Sequence, residues 1–249
     1  MENKKSLPIT RVFAHDSQKI DDDVITEYEL VLILNRKKIA TLLCTPEFIN
    51  ELIVGHLFSA GIINSYNDLS ALNIEIIDNS AHISLPGVEI DEANLIKGGD
   101  PEAFTRVVPK LDVENTISVD REQIFELMDK FKDASKLFEA TGAAHSNCLC
   151  SETEFLIFSE DVARHNAIDK TIGKAMTHRI SLDDKILIAS CRVSKALSLK
   201  IAHARIPIIA SVSAVTDAAV EICNNAGITL IGFARGKRMN VYTHPSRIK

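Results

Sequence analysis

The sequence predicts an α/β protein with a buried parallel sheet in its second half and a smaller α+β unit in its first half. Residues 185–233 alternate three apolar segments of strand length with two segments of helical period, separated by short loops. This alternation indicates parallel strands joined by right-handed crossovers. Residues 24–85 instead carry several strand-like runs and one helix. We therefore predict an N-terminal α+β domain of residues 1–115, with a mobile connecting loop, and a C-terminal α/β domain of residues 116–249.

Strands and one helix are predicted in the first half. Residues 24–34 and 38–44 are rich in Val, Ile and Leu and flank a polar tripeptide, so they are predicted to form a hairpin. Pro46 is predicted to open a helix, because proline is favoured in the first helical turn. The other predicted features are short strands at residues 74–77 and 81–85 and a long mobile connection at residues 91–120, which is rich in polar residues, Gly and Pro.

The second half contains the alternation that predicts the parallel sheet. Each predicted helix has apolar residues recurring with a period of about 3.6, and each predicted strand is short and apolar. Because the carboxyl ends of parallel strands lie at one edge of a sheet, the loops that follow them are expected to meet there. The helices are predicted at residues 123–131, 162–176, 194–204 and 217–225, and the strands at residues 154–158, 185–189, 206–212 and 228–233.

Composition restricts the classes of function. The net charge of −6 argues against a general nucleic-acid-binding protein, which is normally basic. The first residues lack the apolar core of a signal peptide, and no apolar run is long enough to span a bilayer. We therefore predict a cytoplasmic protein with neither nucleic-acid binding nor membrane insertion. The five cysteines, an odd number without an export signal, are predicted to be free thiols, with Cys44 and Cys223 in the core.

The predicted helix at residues 162–176 has a polar first half, with most of the polar residues on one face and apolar residues on the other. His165 and Asp169 are four residues apart, so the carboxylate is expected to orient the imidazole. Ser159 or Asp161 is expected to cap the helix. The polar face is interpreted either as a binding site or as a solvated face with side-chain pairs. The polar residues of these turns are Arg164, His165, Asn166, Asp169 and Lys170, of which Arg164 lies on the apolar side.

Hydroxyl and cationic side chains follow the three predicted parallel strands. Together with a glycine that permits close backbone approach, they suit a phosphorylated ligand, because arginines donate paired hydrogen bonds to phosphate oxygens. The alternative is a set of ordinary caps and turns. The three loops are Ser190-Cys191-Arg192, residues 211–216 with Ser213, and Arg235-Gly236-Lys237-Arg238.

His145, Cys148 and Cys150 form a second candidate site within a single short segment. Zinc is one interpretation, but the Cys-x-Cys spacing is tight and His145 lacks the glutamate that follows it in zinc deaminases, so no metal site is predicted. A persulfide on Cys148 or Cys150 is another, and it requires a thiol pKa lowered by His145 or an arginine. The third interpretation is that these are small core residues.

Several segments of the chain resemble, in order, the motifs of the FdhD-type sulfurtransferases, the accessory proteins of formate dehydrogenase. The polar helix belongs to this set, and residues 141–145 are similar to the family's Thr-Gly-Gly-x-His element. The match covers most of the chain and is therefore more specific than any single motif. The other matching segments are residues 45–47, 55–63, 190–194, 206–208, 211–214 and 232–243.

The resemblance implies a cytidine-deaminase-like, three-layer fold for the C-terminal domain, and a homodimer. It also implies that the guanine-dinucleotide form of the molybdenum cofactor binds at the edge of the sheet, with sulfur passing from a cysteine desulfurase to the cofactor before formate dehydrogenase receives it. The residues assigned to cofactor binding are Phe233, Ala234, Arg235, Gly236, Lys237 and Arg238, together with Arg192, Ser213 and the polar helix residues Arg164, His165, Asn166, Asp169 and Lys170.

One family element is missing. The family's Cys-Gly-x-Cys-Gly element has no cysteine in the corresponding residues 97–112. Because a thiolate is what accepts and releases sulfur, either Cys148 or Cys150 replaces it, with His145 beside them, or the chain hands over the cofactor without sulfur chemistry. Two alternative functions are a guanine-nucleotide-binding module without catalysis and a divergent zinc hydrolase on the deaminase-like fold.

Overall fold

The structure, a computed structural model, describes residues 2–88, 110–111 and 117–249. The strands are β1 (Lys4–Val12), β2 (Ser17–Ile25), β3 (Tyr28–Leu34), β4 (Lys37–Cys44), β5 (Asn73–Ile77), β6 (Ser80–Ser84), β7 (His145–Cys150), β8 (Phe155–Asp161), β9 (Ile186–Ala189), β10 (Ile208–Ser211), β11 (Thr229–Arg235) and β12 (Arg238–Val241). The helices are α1 (Ile49–Ser59), α2 (Tyr66–Ala71), α3 (Arg121–Ala134), α4 (Lys136–Thr141), α5 (Arg164–Thr177), α6 (Lys195–His203) and α7 (Asp217–Ala226), followed by a 3-10 turn at Pro245–Arg247.

A six-stranded mixed sheet organises the second half, in the order β12-β11-β10-β9-β7-β8. Strands β9, β10 and β11 are parallel, as predicted, because the helical crossovers α6 and α7 return the chain to the same edge. Strand β7 runs antiparallel to both β9 and β8. The α/β class is thereby confirmed, whereas a cytidine-deaminase-like arrangement of the layers stays a prediction.

Helices cover both faces of this sheet. Alternate residues of each strand point to opposite faces and pack against the helices there. Cys148 and Ile188 face α3, in a core that also contains Phe131. Leu149 and Leu187 point to the other face, against α5, α6 and α7. The continuous apolar sequences of β9 and β10 follow from this double coverage, since such strands have no solvent-facing side.

The first half forms a four-stranded sheet of order β4-β3-β6-β5 and a separate hairpin, β1–β2. The β3–β4 hairpin was predicted, and its turn is made by Asn35 and Arg36, both with positive φ. The predicted start of the first strand at Val24 is wrong, because Val24 and Ile25 belong to β2 and β3 begins at Tyr28. The predicted opening of α1 at Pro46 is also wrong, since the helix begins at Ile49.

Helices α1 and α5 join the two halves by direct backbone contact. A Cβ atom added to Gly55 would lie 1.8 Å from the carbonyl oxygen of Asp169, and one added to Gly173 would lie 1.8 Å from that of Glu51. Only glycine fits at such a distance. Leu52 and Ile172 belong to one apolar core that runs across this contact, so the N-terminal sheet and α5 pack as a unit.

Several predictions end at the limits of the described residues. The domain boundary near residue 115 and most of the predicted connection at residues 91–120 lie outside them. Strands β1, β7 and β12 and most of β2 were missed, because their sequences lack a run of β-branched residues between turn signals. No helix in the described part of the chain is long and apolar enough to cross a membrane.

Candidate functional site at the carboxyl edge of the sheet

The three predicted loops do meet at one edge of the six-stranded sheet, and they are tied together there. The N–H of Val193 donates to the carbonyl of Ala214 at 3.0 Å, and the N–H of Phe233 donates to the carbonyl of Ser213 at 2.9 Å. The Ser211 hydroxyl donates to the carbonyl of Cys191 at 2.7 Å. These bonds make the edge a connected backbone surface instead of three separate loops.

The cations on this edge face solvent. The segment predicted as a loop at residues 233–238 is the tip of the β11–β12 hairpin, which turns at Gly236 and Lys237, both with φ near +58°. Its side chains differ in availability, because Ala234 is wholly buried and can offer a ligand only its backbone. We call the exposed residues Arg192, Arg235, Lys237 and Arg238 the cationic rim.

A cavity of about 450 Å³ opens on the same edge, between α3, α4 and the ends of β7, β9 and β10. Its walls are mainly apolar, with Phe131 and Phe138 as the two aromatic rings. Polar groups of Ser146 and Ser190 lie at the sheet side. Val212, which precedes the Ser213 loop, also lines the cavity, so cavity and rim share one loop.

Glu160 holds one wall of this cavity in place. Its carboxylate accepts hydrogen bonds from the backbone N–H groups of Leu137 and Phe138, at 2.9 and 3.0 Å, and so caps α4. The same carboxylate accepts a bond from the Ser146 hydroxyl at 3.1 Å. Sequence reasoning missed this role, because Glu160 is distant in sequence from the helix that it caps.

The edge also carries two histidines whose environments disfavour the charged form. Burial, reinforced by the charge of Arg164, lowers the pKa of His145, although Asp161 opposes this. Burial and the charge of Lys200 lower the pKa of His165 to about 4. Both imidazoles are therefore neutral at pH 7, so the positive charge here belongs to the arginines and lysines.

The rest of the predicted polar face is turned into the protein. Lys170 Nζ lies 2.6 Å from an Asp161 oxygen and 2.7 Å from the Thr45 hydroxyl, with no exposure of either charged group. Asn166 donates to the carbonyl of Leu43 at 2.7 Å. These contacts bind α5 to the chain that leads into α1. The predicted contacts of Asn166 and Lys170 with a cofactor stay predictions, and the structure gives both side chains internal partners instead.

Asp169 also has internal partners, which corrects the expected pairing with His165. Its carboxylate lies 2.6 Å from Lys200 Nζ and accepts a bond from the Ser59 hydroxyl at 2.7 Å. Burial raises the pKa of Asp169, but Lys200 and His56 more than offset this and hold it at about 2. The carboxylate is therefore charged and fully engaged at neutral pH. The expected caps also change, since Asp161 accepts from the N–H of Ala163 and Ser159 lies in β8.

The thiols are all buried. Cys148 and Cys150 have no exposure, and their sulfur atoms lie 3.4 Å apart behind α3. Burial raises the pKa of the Cys148 thiol far above its usual range. A persulfide carrier needs the opposite, an accessible thiol with a lowered pKa, so the structure places this pair in the core and lends no support to the persulfide interpretation.

Zinc has no evident binding site in the described part of the chain. Within those ranges, no group of three or more His, Cys, Asp and Glu side chains is arranged to hold a metal ion. His145 lies at the edge while both cysteines point to the α3 core, so the three soft ligands of this segment do not converge.

The fold is that of a solved formate dehydrogenase accessory protein. The crystal structure of that protein, from Desulfotalea psychrophila, superposes with a TM-score of 0.82 over 100% of both chains, with 22% identical residues. The sequence model of the FdhD/NarQ family matches residues 25–249, and the chain belongs to this family.

Two relatives named sulfur carrier protein FdhD support the assignment. The protein of Listeria monocytogenes serovar 1/2a is 33% identical, with 96% of this chain and 97% of the relative aligned. The protein of Bacillus subtilis strain 168 is also 33% identical, with 99% of each chain aligned. The resemblance described from the motifs is thereby confirmed.

Proposed function

We propose that this chain is a maturation factor for formate dehydrogenase that binds the guanine-dinucleotide form of the molybdenum cofactor at the carboxyl edge of its sheet. Family membership supports the link to formate dehydrogenase. The observation that carries the site is the shared edge, where the cationic rim and the 450 Å³ cavity are joined by the 211–216 loop.

The cationic rim supplies positive charge and hydrogen-bond donors for a diphosphate, although the protein as a whole is acidic. Arg192, Arg235 and Arg238 are exposed and present planar groups that can donate two hydrogen bonds each to phosphate oxygens. The net charge of the whole chain is −6, so this local positive surface is set against the general charge. The tight turn at Gly236 leaves open space next to its backbone, which suits a close approach of the ligand.

The cavity supplies what a purine needs. Phe131 and Phe138 are flat apolar surfaces on which an aromatic base packs favourably, and Phe138 is 51% exposed in the absence of such a contact. The Ser190 hydroxyl accepts a bond from the N–H of Ser146 and can still donate one to a polar edge of a base. In this proposal the base enters the cavity and the phosphates lie on the rim.

The proposal includes sulfur transfer, because the two relatives are named sulfur carrier proteins. A cysteine desulfurase is the proposed donor and formate dehydrogenase the proposed recipient of the cofactor, in the cytoplasm. A homodimer is part of the same proposal. Every cysteine of the chain is buried, so sulfur uptake requires that one of these thiols become accessible to the donor.

Binding of guanosine diphosphate by the full chain tests the proposed site. We expect binding that weakens steeply with added salt, because phosphate contacts to the rim are screened. A variant with Arg192, Arg235 and Arg238 replaced by Gln is expected to lose most of the affinity. Arg179→Gln is the control for loss of a single exposed arginine, since Arg179 is exposed and lies just beyond the carboxyl end of α5. Equal affinity of both variants would contradict the rim, and no binding by the parent chain would contradict the site.

A further inference from the structure

Cys191 follows the end of β9, and His145 begins the neighbouring strand β7. Asn147 pairs with Ala189 in the β7–β9 register, and the N–H of Ser190 donates to the carbonyl of Ser146 at 3.0 Å. Continuing this register by one step brings Cys191 opposite His145, with both side chains on the α5 face of the sheet. His145 in turn pairs with Asp161 of β8, so three functional side chains form one row at the edge.

Arg164 is the first residue of α5, and its guanidinium lies 3.5 Å from the His165 ring. Its charge acts on three side chains at once, lowering the pKa of His145 and His165 and opposing the effect of burial on Cys191. Arg192, the next residue after Cys191, adds a second positive charge that acts on the same thiol. A sulfur anion formed at Cys191 would therefore meet two guanidinium groups, which stabilise thiolates and perthiolates.

The row beneath is polar and has unused hydrogen-bonding capacity. Asn147 is wholly buried on the same face, and neither its amide nitrogen nor its amide oxygen has a hydrogen-bond partner among the described residues. Within the same residues, the hydroxyl of Ser159, its cross-strand neighbour, also has none. Buried polar groups are almost always paired, so this pair, on the face of the sheet that Cys191 borders, indicates a place for a small polar group.

Cys191 differs from the other thiols in its exposure and in its place on the chain. Cys44, Cys148, Cys150 and Cys223 have no exposure, and Cys191 borders the same apolar core as Cys44 and Cys223. Cys191 retains 5% exposure and follows Ser190, which lines the cavity together with His145. It is therefore the thiol that lies, along the chain, between the cavity residue Ser190 and the rim residue Arg192.

We propose that Cys191 is the sulfur-accepting thiol of this chain, replacing the cysteine that the sequence of residues 97–112 lacks. This inference rests on the proposed function, because it places the carried sulfur beside the cofactor site. It also reverses the expectation that Cys148 or Cys150 takes this role.

The transfer is balanced without an oxidant or a reductant. The Cys191 sulfur attacks the outer sulfur of a donor persulfide, R–S–S–H, and forms a new S–S bond. The S–S bond of the donor breaks, and its electron pair leaves on the donor sulfur, which takes up the proton released from Cys191. The products are R–S–H and Cys191–S–S–H, and the sum of oxidation states is unchanged.

The rate of sulfur uptake by Cys191 is limited by access to its thiol and by loss of the thiol proton. Burial raises the pKa of Cys191 to about 11, although Arg164 and Arg192 oppose this. The thiol is therefore protonated at neutral pH, and His145 is the neutral base that lies across the strand from it. We expect sulfur uptake to be slower in Arg164→Gln than in the parent chain, since the variant loses one of the two stabilising charges.

Intact-protein mass after incubation with a cysteine desulfurase and cysteine tests the proposal. We expect a gain of one sulfur atom that reductant removes, located at Cys191 by peptide mapping of the parent chain. Cys191→Ser should abolish the gain, whereas the double variant Cys148→Ser, Cys150→Ser should keep it. Mapping of the parent makes the result independent of how well either variant folds.

Sulfur located on another cysteine, or no gain at all in the parent chain, would overturn the proposal. Binding of guanosine diphosphate is measured on the same samples, so the two ideas can fail separately. Binding without sulfur uptake leaves the cofactor site in place and removes Cys191 as carrier. Sulfur uptake at Cys191 without nucleotide binding removes the cofactor site and keeps the carrier.

Discussion

The cationic rim and the α1–α5 contact use the same kinds of side chain in opposite environments. At the rim, Arg235 and Arg238 are exposed, and neither forms an ion pair with a carboxylate of the described residues. At the α1–α5 contact, Lys170 and Asp169 have essentially no exposure and each is paired with an opposite charge. The sequence shows both sets as polar residues at plausible spacings, yet one can bind a ligand and the other holds the molecule together.

Burial decides whether a charged side chain can bind a ligand or is already paired within the protein. A charge taken out of water must be matched at once, and the matching partner then occupies the group that a ligand would need. An exposed cation contributes little to folding but keeps its hydrogen-bonding capacity. Variants of the two regions should therefore separate cleanly, with stability changing at the contact and affinity changing at the rim.

The largest effect is expected from Lys170→Met. This change leaves the Asp161 carboxylate buried without its cation, which costs about 3–5 kcal/mol of unfolding free energy. Chemical denaturation at pH 7 measures it. The matched control is Lys136→Met, because the Lys136–Glu139 pair is exposed and its loss should be undetectable. Equal stability of the two variants would mean that the buried pair is not formed.

Gly173→Ala tests the helix contact without changing charge. The added methyl would meet the backbone oxygen of Glu51, which cannot move away as a side chain would, so we expect a loss of about 1–3 kcal/mol or more. Gly142→Ala is the control for glycine itself, because its φ is positive but nothing lies near its Cβ position, and it should lose about 1 kcal/mol. A smaller loss at Gly173 than at Gly142 would contradict the close helix packing.

As the pH falls, the free energy of unfolding should first lose the contribution of His165 and only later that of Asp169. His165 has its pKa lowered to about 4, so the unfolded chain binds its proton first, and unfolding free energy falls as the pH drops from about 6.5 to 4. Asp169, with its pKa lowered to about 2, keeps its contribution until the pH falls below about 4. His165→Gln should flatten the first interval by about 1–3 kcal/mol and leave the second unchanged. Denaturation at several pH values measures both, and an unchanged first interval would show that another group titrates there.

The fold was predictable where period and turn chemistry agree. The three parallel strands and both crossover helices followed from short apolar runs between amphipathic segments. Strand β7 did not, because His145, Ser146 and Asn147 are polar and their burial depends on pairing with β9, which is distant in sequence. The start of α1 was displaced because Phe48 takes a left-handed conformation that no local signal announces.

The sequence predicts where the site lies on the sheet, but not which side chains point into it. The meeting of the three loops follows from parallel topology, which the sequence reveals. The inward direction of Lys170 does not, because α5 is covered on both sides and a polar face normally indicates solvent. The place of His145 beside the end of β9 depends on strand register, and register cannot be derived from one strand's sequence.

The smallest change in stability is expected at the rim, where Arg192, Arg235 and Arg238 are replaced together by Gln. Because all three are exposed, unfolding should match that of the parent chain. Affinity for guanosine diphosphate should fall roughly tenfold, since each arginine contributes a modest screened contact. Isothermal titration at low and at moderate salt measures this, and the difference between parent and variant should shrink as salt is added. A variant that unfolds more readily and binds as tightly as the parent would reverse the comparison, making the rim structural and leaving the ligand to another surface.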